Sequence, residues 1–406
     1  VVAVVASFSA ARLTDIPKPT SAVTCIGLPL TAQLQVVPNT NYCGGTANEQ
    51  IRLADGDTWT NGEVTGSGIS TGQQHGALEC SGNCTLVNVN VHDVANAWAA
   101  FYAPGANLPR VITIVGGRFA NAGSEGVGLS GSTATVTGTE IDHNGATANC
   151  GFEGGGSKWV GNATFTQVNV HDNLCPGLWS DGGGSGTINN STLTNNGISG
   201  AFIEISNNVH VFGNTVTGNG FHDANAGGCS NWYWDAGIGI STSSNVEIDH
   251  NLVTGNCNGI TAIEQNRALD GVTILTRNDN IHDNQVGLAR GKVGLVAPNG
   301  DLGVYSGNNR FVNNQYAMPN CDVAAFGWQN ATYAFAAWQA IPQDAGATCG
   351  QVAPQTPTPS APLPTSSPTA TPSPALLPSF GETITLANGQ TCTIRVIGGV
   401  VSGSCY

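Results

Sequence analysis

The sequence predicts an all-β solenoid of parallel stacked strands, and three observations carry that prediction. The first is a repeat: "TINNSTLTNNGISGAFIEIS", "VHVFGNTVTGNG" and "VEIDHNLVTGNCNGI" follow one another between residues 185 and 260. Each holds an alternating strand, an apolar residue, an Asn three places later, and a Gly that opens another strand. The second is the period. Aligned on Leu193, Val216 and Val253, with Asn196, Asn219 and Asn256 behind them, the column extends upstream through Val91, Phe119, Ile141 and Val170 and downstream through Ile281 and Phe311. A rung of about 22 or 23 residues with insertions of variable length is the signature of a solenoid. The third is composition: 55 Gly and 9% charged residues suit tight turns and stacked strands, not a helical globule.

Five positions before the column, Ile114, Val136, Phe165, Ile188, Val211 and Ile248 alternate with polar residues, which is strand periodicity. A second strand is expected at Gly126-Val127, Gly151-Phe152, Gly177-Leu178, Gly200-Ala201, Gly237-Ile238, Gly259-Ile260 and Gly287-Leu288. The Asn column (144, 173, 196, 219, 256, 284, 314) suits amides bonded from rung to rung. The pairs His92-Asp93, His171-Asp172 and His282-Asp283 recur just before it and are expected to be turn structure. With these motifs, written as "GLWxD", "GxFxEIS", "GNTVxxNG" and "GIxISxSSNVxI", the chain resembles the right-handed parallel β-helix superfamily of pectate-lyase-like proteins over about residues 50 to 320. The resemblance implies a right-handed parallel β-helix. It implies little about chemistry, because the group mixes polysaccharide lyases, hydrolases and epimerases with surface proteins.

In chain order, residues 1–10 are an apolar strand or a signal-peptide remnant, residues 11–80 an N-terminal cap and first coils, and residues 81–320 the β-helix body. Residues 321–350 are a C-terminal cap with a short helix. Residues 351–379 form a Pro/Thr/Ser-rich linker, and residues 380–406 a small β-hairpin module with turns at Asn388-Gly389 and Gly398-Gly399. Twelve Cys fall into neighbours that suggest six local disulfides: Cys25 with Cys43, Cys80 with Cys84, Cys150 with Cys175, Cys229 with Cys257, Cys321 with Cys349 and Cys392 with Cys405. Such usage points to a secreted, extracellular or cell-surface setting. Asn83, Asn162, Asn189, Asn190 and Asn330 begin glycosylation sequons. A net charge of −14 with 12 Lys and Arg gives no case for nucleic acid, and no apolar run is long enough for a membrane span.

Counting along the second strand from each corner Gly, Trp179 and Asp181 point outward, as do Phe202 and Glu204 one rung on, with Glu153 beside Trp179. Rungs stack about 4.8 Å apart, so Asp181 and Glu204 stand near the roughly 5 Å separation of retaining glycosidases. Glu153 completes a carboxylate cluster that is equally suited to Ca²⁺, the single cofactor considered; no metal ligand set is assigned. Trp179, Phe202 and the loop residues Trp232, Tyr233 and Trp234 are candidates for sugar stacking. Enzymes of the resembled superfamily bring a Lys or Arg base, or a Ca²⁺ cluster, to this face. Here Lys158 and Lys292 are the lysines of the body and Arg290 the nearest matching Arg, so no lyase or epimerase motif is intact.

Two functions follow as expectations. In one, the protein is an extracellular structural subunit that assembles head to tail with copies of itself, terminal β elements docking on a neighbouring β-helix as a filament or surface layer. In the other it is a secreted polysaccharide-active hydrolase or lyase using Asp181, Glu204 and Glu153.

Overall fold

Each rung of the chain is three short strands joined by tight corners. The computed structural model describes residues 27, 38–105, 110–221, 232–288, 291–299, 301–341 and 343–350, and the backbone of strands Phe380–Thr385, Thr391–Ile397 and Val400–Cys405. Face one is built from strands such as Leu178–Ser180, Ala201–Glu204, Ala236–Ser241, Asn258–Ile263 and Val293–Val296. Face two stacks Ser185–Asn189, Val209–Phe212, Glu247–Asp249, Asn280–His282 and Arg310–Val312. Face three stacks Thr192–Thr194, Thr215–Thr217, Leu252–Thr254, Gln285–Gly287 and Gln315–Ala317. Every pairing between these rungs is parallel and in register, so the molecule is a parallel β-helix. Two long strands, Glu125–Thr137 and Gly155–Thr166, run through the corner between faces one and two and join them into one sheet.

The alternation read from sequence puts one apolar column inside each face. Ile188, Val211, Ile248, Ile281 and Phe311 line face two, while Val170, Leu193, Val216, Val253, Val286 and Tyr316 line face three; all are buried. Face one contributes Val127, Leu178, Ala201, Ile238, Ile260 and Val293. Like side chains stacked at rung spacing fill the interior without a helix, and removing each from water stabilises the fold by about 1.5–3 kcal/mol.

Both corners flanking face three use one device: a residue with positive φ, then a polar side chain that turns inward. After face three come Asn195, Gly218 and Gly255 with φ of 55°, 74° and 66°; after face two come Asn190, Gly213, His250 and Asp283 with φ of 50°, 65°, 54° and 54°. Asn, Asp and Gly tolerate this conformation best. Among the described residues, two buried ladders therefore flank face three where the sequence suggested one. In the first, Asn144, Asn173, Asn196, Asn219 and Asn256 pass hydrogen bonds from rung to rung. In the second, Asn214, Asn251, Asn284, Asn314 and Asp344 do the same. Ile281 and Phe311, with Asn284, Asn314 and His282-Asp283, belong to face two; Val286 and Tyr316 are the true continuations of Val253. The two corners share the signature apolar, two residues, Asn, which is why the register slipped by five.

Two corner assignments also shift. The strand expected at Gly151-Phe152 begins at Gly155, with Ser157 opposite Leu178 and Phe152 exposed. The strand expected at Gly287-Leu288 is Val293–Val296, although Leu288 is buried. Helix Phe335–Ala340 and strand Thr348–Gly350 follow the last full rung, and Trp338 packs on Phe311 and Phe326.

Disulfides join Cys80 to Cys84, Cys150 to Cys175 and Cys321 to Cys349. Cys43 and Cys257 are also disulfide-bonded, while the expected partners Cys25 and Cys229 lie outside the described residues. So do residues 1–10 and the linker 351–379. The C-terminal unit is a three-stranded antiparallel sheet whose strands pair with one another, Cys392 opposite Cys405.

Candidate functional site

The outward side of face one gathers charge in a molecule that has little of it. Lys158 stands directly opposite Trp179, which stands opposite Phe202 on the next rung. Lys158, not Glu153, is therefore the neighbour of Trp179. Glu153 reaches the same point from the preceding turn: the Lys158 ammonium lies 3.2 Å from Glu153 and 2.9 Å from Asp181, and 4.1 Å above the Trp179 ring. Burial opposes the charge of Lys158, but Asp181 and Glu153 outweigh it and hold its pKa above the ordinary lysine value. The place considered for Ca²⁺ thus holds an ammonium group.

Behind Glu153 lies Glu125, fully buried. Burial, then the Glu153 charge and a hydrogen bond between the two carboxyls, push Glu125 well above the usual carboxylate range. Tyr102 packs beside it, its phenol raised by burial and then by the charges of Glu125 and Glu153. Gly128 sits between them: a Cβ there would meet Glu125 Oε2 and the Tyr102 ring, each at 2.3 Å.

On the other side, Ser180 pairs with Ile203, which puts Asp181 beside Glu204 on the next rung. Glu204 is buried, and burial followed by the Asp181 charge raises its pKa, while Arg267 pulls the other way from 2.9 Å. Arg267 comes from an insertion, where Ala268–Leu269 and Val272–Thr273 form a small antiparallel hairpin. The hairpin folds back along face one, so Leu269 lies 3.2 Å from where a Cβ on Gly183 would stand. Gln265 steadies Arg267 at 3.3 Å and is itself held by Ser241 at 2.7 Å.

The expected stacking residues separate into two groups. Trp179, Phe202, Trp234 and Trp232 form a continuous aromatic series with centroid spacings of 5.6, 6.3 and 6.1 Å. Phe202, Trp232 and Trp234 are half-buried. Trp179 is 2% exposed and Tyr233 3%, so neither offers a free ring face. Tyr233 instead bonds Thr332 at 3.1 Å and lies under Lys292. Arg290 lies outside the described residues. Of the sequon residues, Asn83, Asn162, Asn190 and Asn330 are exposed, whereas Asn189 is buried with its amide on Thr166.

Glu125, Tyr102, Lys158 and Arg267 are the site residues that sequence reasoning missed as a group. Lys158 had a signal: read from Gly156, "SKW" aligns with "LWS". Arg267 had none, because only the fold-back of its hairpin brings it to Glu204.

A family model described as a right handed beta helix region matches residues 77–236. Two solved structures resemble the chain. One is the A-module of mannuronan C-5 epimerase AlgE6 from Azotobacter vinelandii, at 14% identity and a TM-score of 0.45, covering 78% of this chain and 90% of that one. The other is the A-module of mannuronan C-5 epimerase AlgE4 from the same organism, at 12% identity and a TM-score of 0.31, covering 80% and 90%. No curated protein matches the chain. Among the described residues no helix is long and apolar enough to cross a membrane. The disulfides are compatible with an extracellular setting.

Proposed function

We propose that this right-handed parallel β-helix protein is a secreted polysaccharide-active enzyme that cleaves glycosidic bonds on face one. One observation carries the reading: two carboxylates on adjacent rungs, Asp181 and Glu204, each held by its own cation, with the Glu204 carboxyl raised by burial and by Asp181. A carboxyl raised by burial beside a second carboxylate is an arrangement suited to acid–base cleavage. In this reading Glu204 gives its proton to the glycosidic oxygen as the C–O bond breaks. Asp181, at about one rung's distance, acts at the sugar carbon or takes the proton of the attacking water. Lys158 and Arg267 fix the two carboxylates, and the half-buried rings of Phe202 and Trp234 are placed to meet sugar. Buried Glu125 and Tyr102 lie beneath Glu153.

The test is a screen of neutral and acidic polysaccharides with the full chain, reading new reducing ends and, for elimination, new ultraviolet-absorbing ends. A polymer should be found for which Asp181→Asn and Glu204→Gln each lower turnover by about 10²-fold or more at unchanged melting temperature. Turnover that survives both substitutions, or no cleavage of any polymer, overturns the reading. The expectation of head-to-tail assembly is tested on the same material by electron microscopy. Filaments formed equally by the parent and the double variant would support assembly and show that it does not depend on the carboxylates.

A further inference from the structure

On face two, away from the acid pair, three side chains from two rungs converge. His210 pairs in register with Glu247, and Phe212 with Asp249, so His210, Glu247 and Asp249 rise from the same outward surface. The His210 Nε2 atom lies 2.5 Å from Asp249 Oδ1 and 3.9 Å from Glu247 Oε2. One ligand atom from each of the three falls within 4.8 Å of the others.

What distinguishes this group from scattered surface charge is how the far side of each carboxylate is held. Asp249 turns its second oxygen to His250 Nδ1 at 2.5 Å, and Glu247 turns its second oxygen to His282 Nε2 at 3.2 Å. His282 is in turn oriented by Asp283 at 2.7 Å through its other nitrogen. The His210 ring lies against Phe212, 4.4 Å between centroids. Each carboxylate therefore presents one oxygen to the His210 nitrogen and has the other tied down by an imidazole. This is the outer support that fixes metal ligands in place.

We propose that His210, Glu247 and Asp249 bind a divalent first-row transition ion, with His250 and His282 positioning the two carboxylates. One imidazole and two carboxylate oxygens leave open positions for water. Replacing the proton between His210 and Asp249 by the ion requires their contact to widen to about 3.3 Å, which ligand bonds of about 2.0–2.2 Å imply. Partial exposure of His210 and Glu247, 36% and 49% of their side chains, gives the ion a way in. A second group of similar make-up, Asp142, His143 and His171, is contrasting. There Arg118 grips Asp142 through two nitrogens at 2.7 and 2.5 Å, and the guanidinium already serves as the cation.

The experiment is calorimetric titration of ZnCl₂ into tag-free, chelator-treated full-length protein. One equivalent should bind, and Co²⁺ should give a visible absorption band that Zn²⁺ removes. His210→Ala and Glu247→Gln, both at partly exposed positions, should weaken binding by about 100-fold or more, and His250→Ala by about 10-fold. His143→Ala should bind as the parent does. No uptake by the parent, binding indifferent to His210→Ala, or loss through His143→Ala would each overturn the assignment. Displacement of Zn²⁺ by millimolar Ca²⁺ would overturn the choice of a transition ion.

Discussion

Replacing Asn219 by Ala removes one step of the first amide ladder. Asn219 is fully buried. Its Oδ1 accepts from the Asn196 backbone N–H at 2.9 Å and from the Asn196 amide at 3.0 Å, and its Nδ2 donates to the Leu193 carbonyl at 2.9 Å. An alanine methyl meets none of these needs. The Asn196 N–H is left without an acceptor in a space closed to water, while the Leu193 C=O keeps its place in the parallel strand ladder, and one orphaned group costs about 1–3 kcal/mol, so the variant should lose about that much. Against a total of about 5–15 kcal/mol, that is a large fraction. Urea denaturation at pH 7 measures the loss, and amide hydrogen exchange locates it: the Asn196 N–H should lose protection beyond the global change. Thr194→Ala, on the outward side of the same turn, should stay within about 0.5 kcal/mol. A loss below about 1 kcal/mol for Asn219→Ala, or an Asn196 amide protected as before, would refute the claim that the ladder carries stability.

Two further outcomes concern pH. Asp279 is fully buried, accepts from the Val246 N–H at 2.9 Å, and leaves its second oxygen without a partner; burial pushes its carboxyl well above the usual range. A raised carboxyl favours folding while protonated and loses that contribution as pH climbs above its unfolded value of about 3.9, so Asp279→Asn should gain about 1–3 kcal/mol at pH 7 and little below pH 4. Equal effects at both pH values would refute the assignment. For His92, burial disfavours the imidazolium, but hydrogen bonds to Asp93 at 2.9 Å and Glu63 at 3.1 Å outweigh it and raise the pKa. Its contribution is complete below about pH 6.5 and is lost as pH rises through the folded midpoint. An NMR titration should put His92 above the ordinary value, and Glu63→Gln should lower it; a midpoint unmoved by that change would sink the pairing.

How much the sequence discloses depends on whether a residue's surroundings are set within its own rung. The face-three column is legible from Ile141 to Val253 because the strand, the left-handed residue and the ladder Asn occur together in each rung, while at Val91 and Phe119 the strand and the left-handed residue carry it with Val94 and Ala122 in the ladder place. It misleads after Val253 because face two ends in the same way: "IHDN" at 281–284 reads like "VTGN" at 253–256. Asp181 and Glu204 are legible through alternation, since both lie at equal distance from a corner Gly. Lys158 is obscured because the stretch from Cys150 to Gly156 offers several glycines that each look like a corner. Glu125 looks ordinary in sequence; its burial comes from the neighbouring turn that carries Glu153. The pairing of Arg267 with Glu204, 63 residues apart, belongs to tertiary structure alone.

The first ladder connects Asn196 to Asn219 across 23 residues and Asn219 to Asn256 across 37, yet the amides meet at 3.0 and 2.8 Å. The stack is therefore indifferent to the length of chain spliced between its steps. Closing a longer excursion costs only about 0.6 kcal/mol per doubling of its length. The chain between Asn219 and Asn256 and the excursion 264–276 both fall between intact steps. The β-helix is in that sense a chassis: segments spliced between its steps can be exchanged while the interior that keeps it folded needs no redesign.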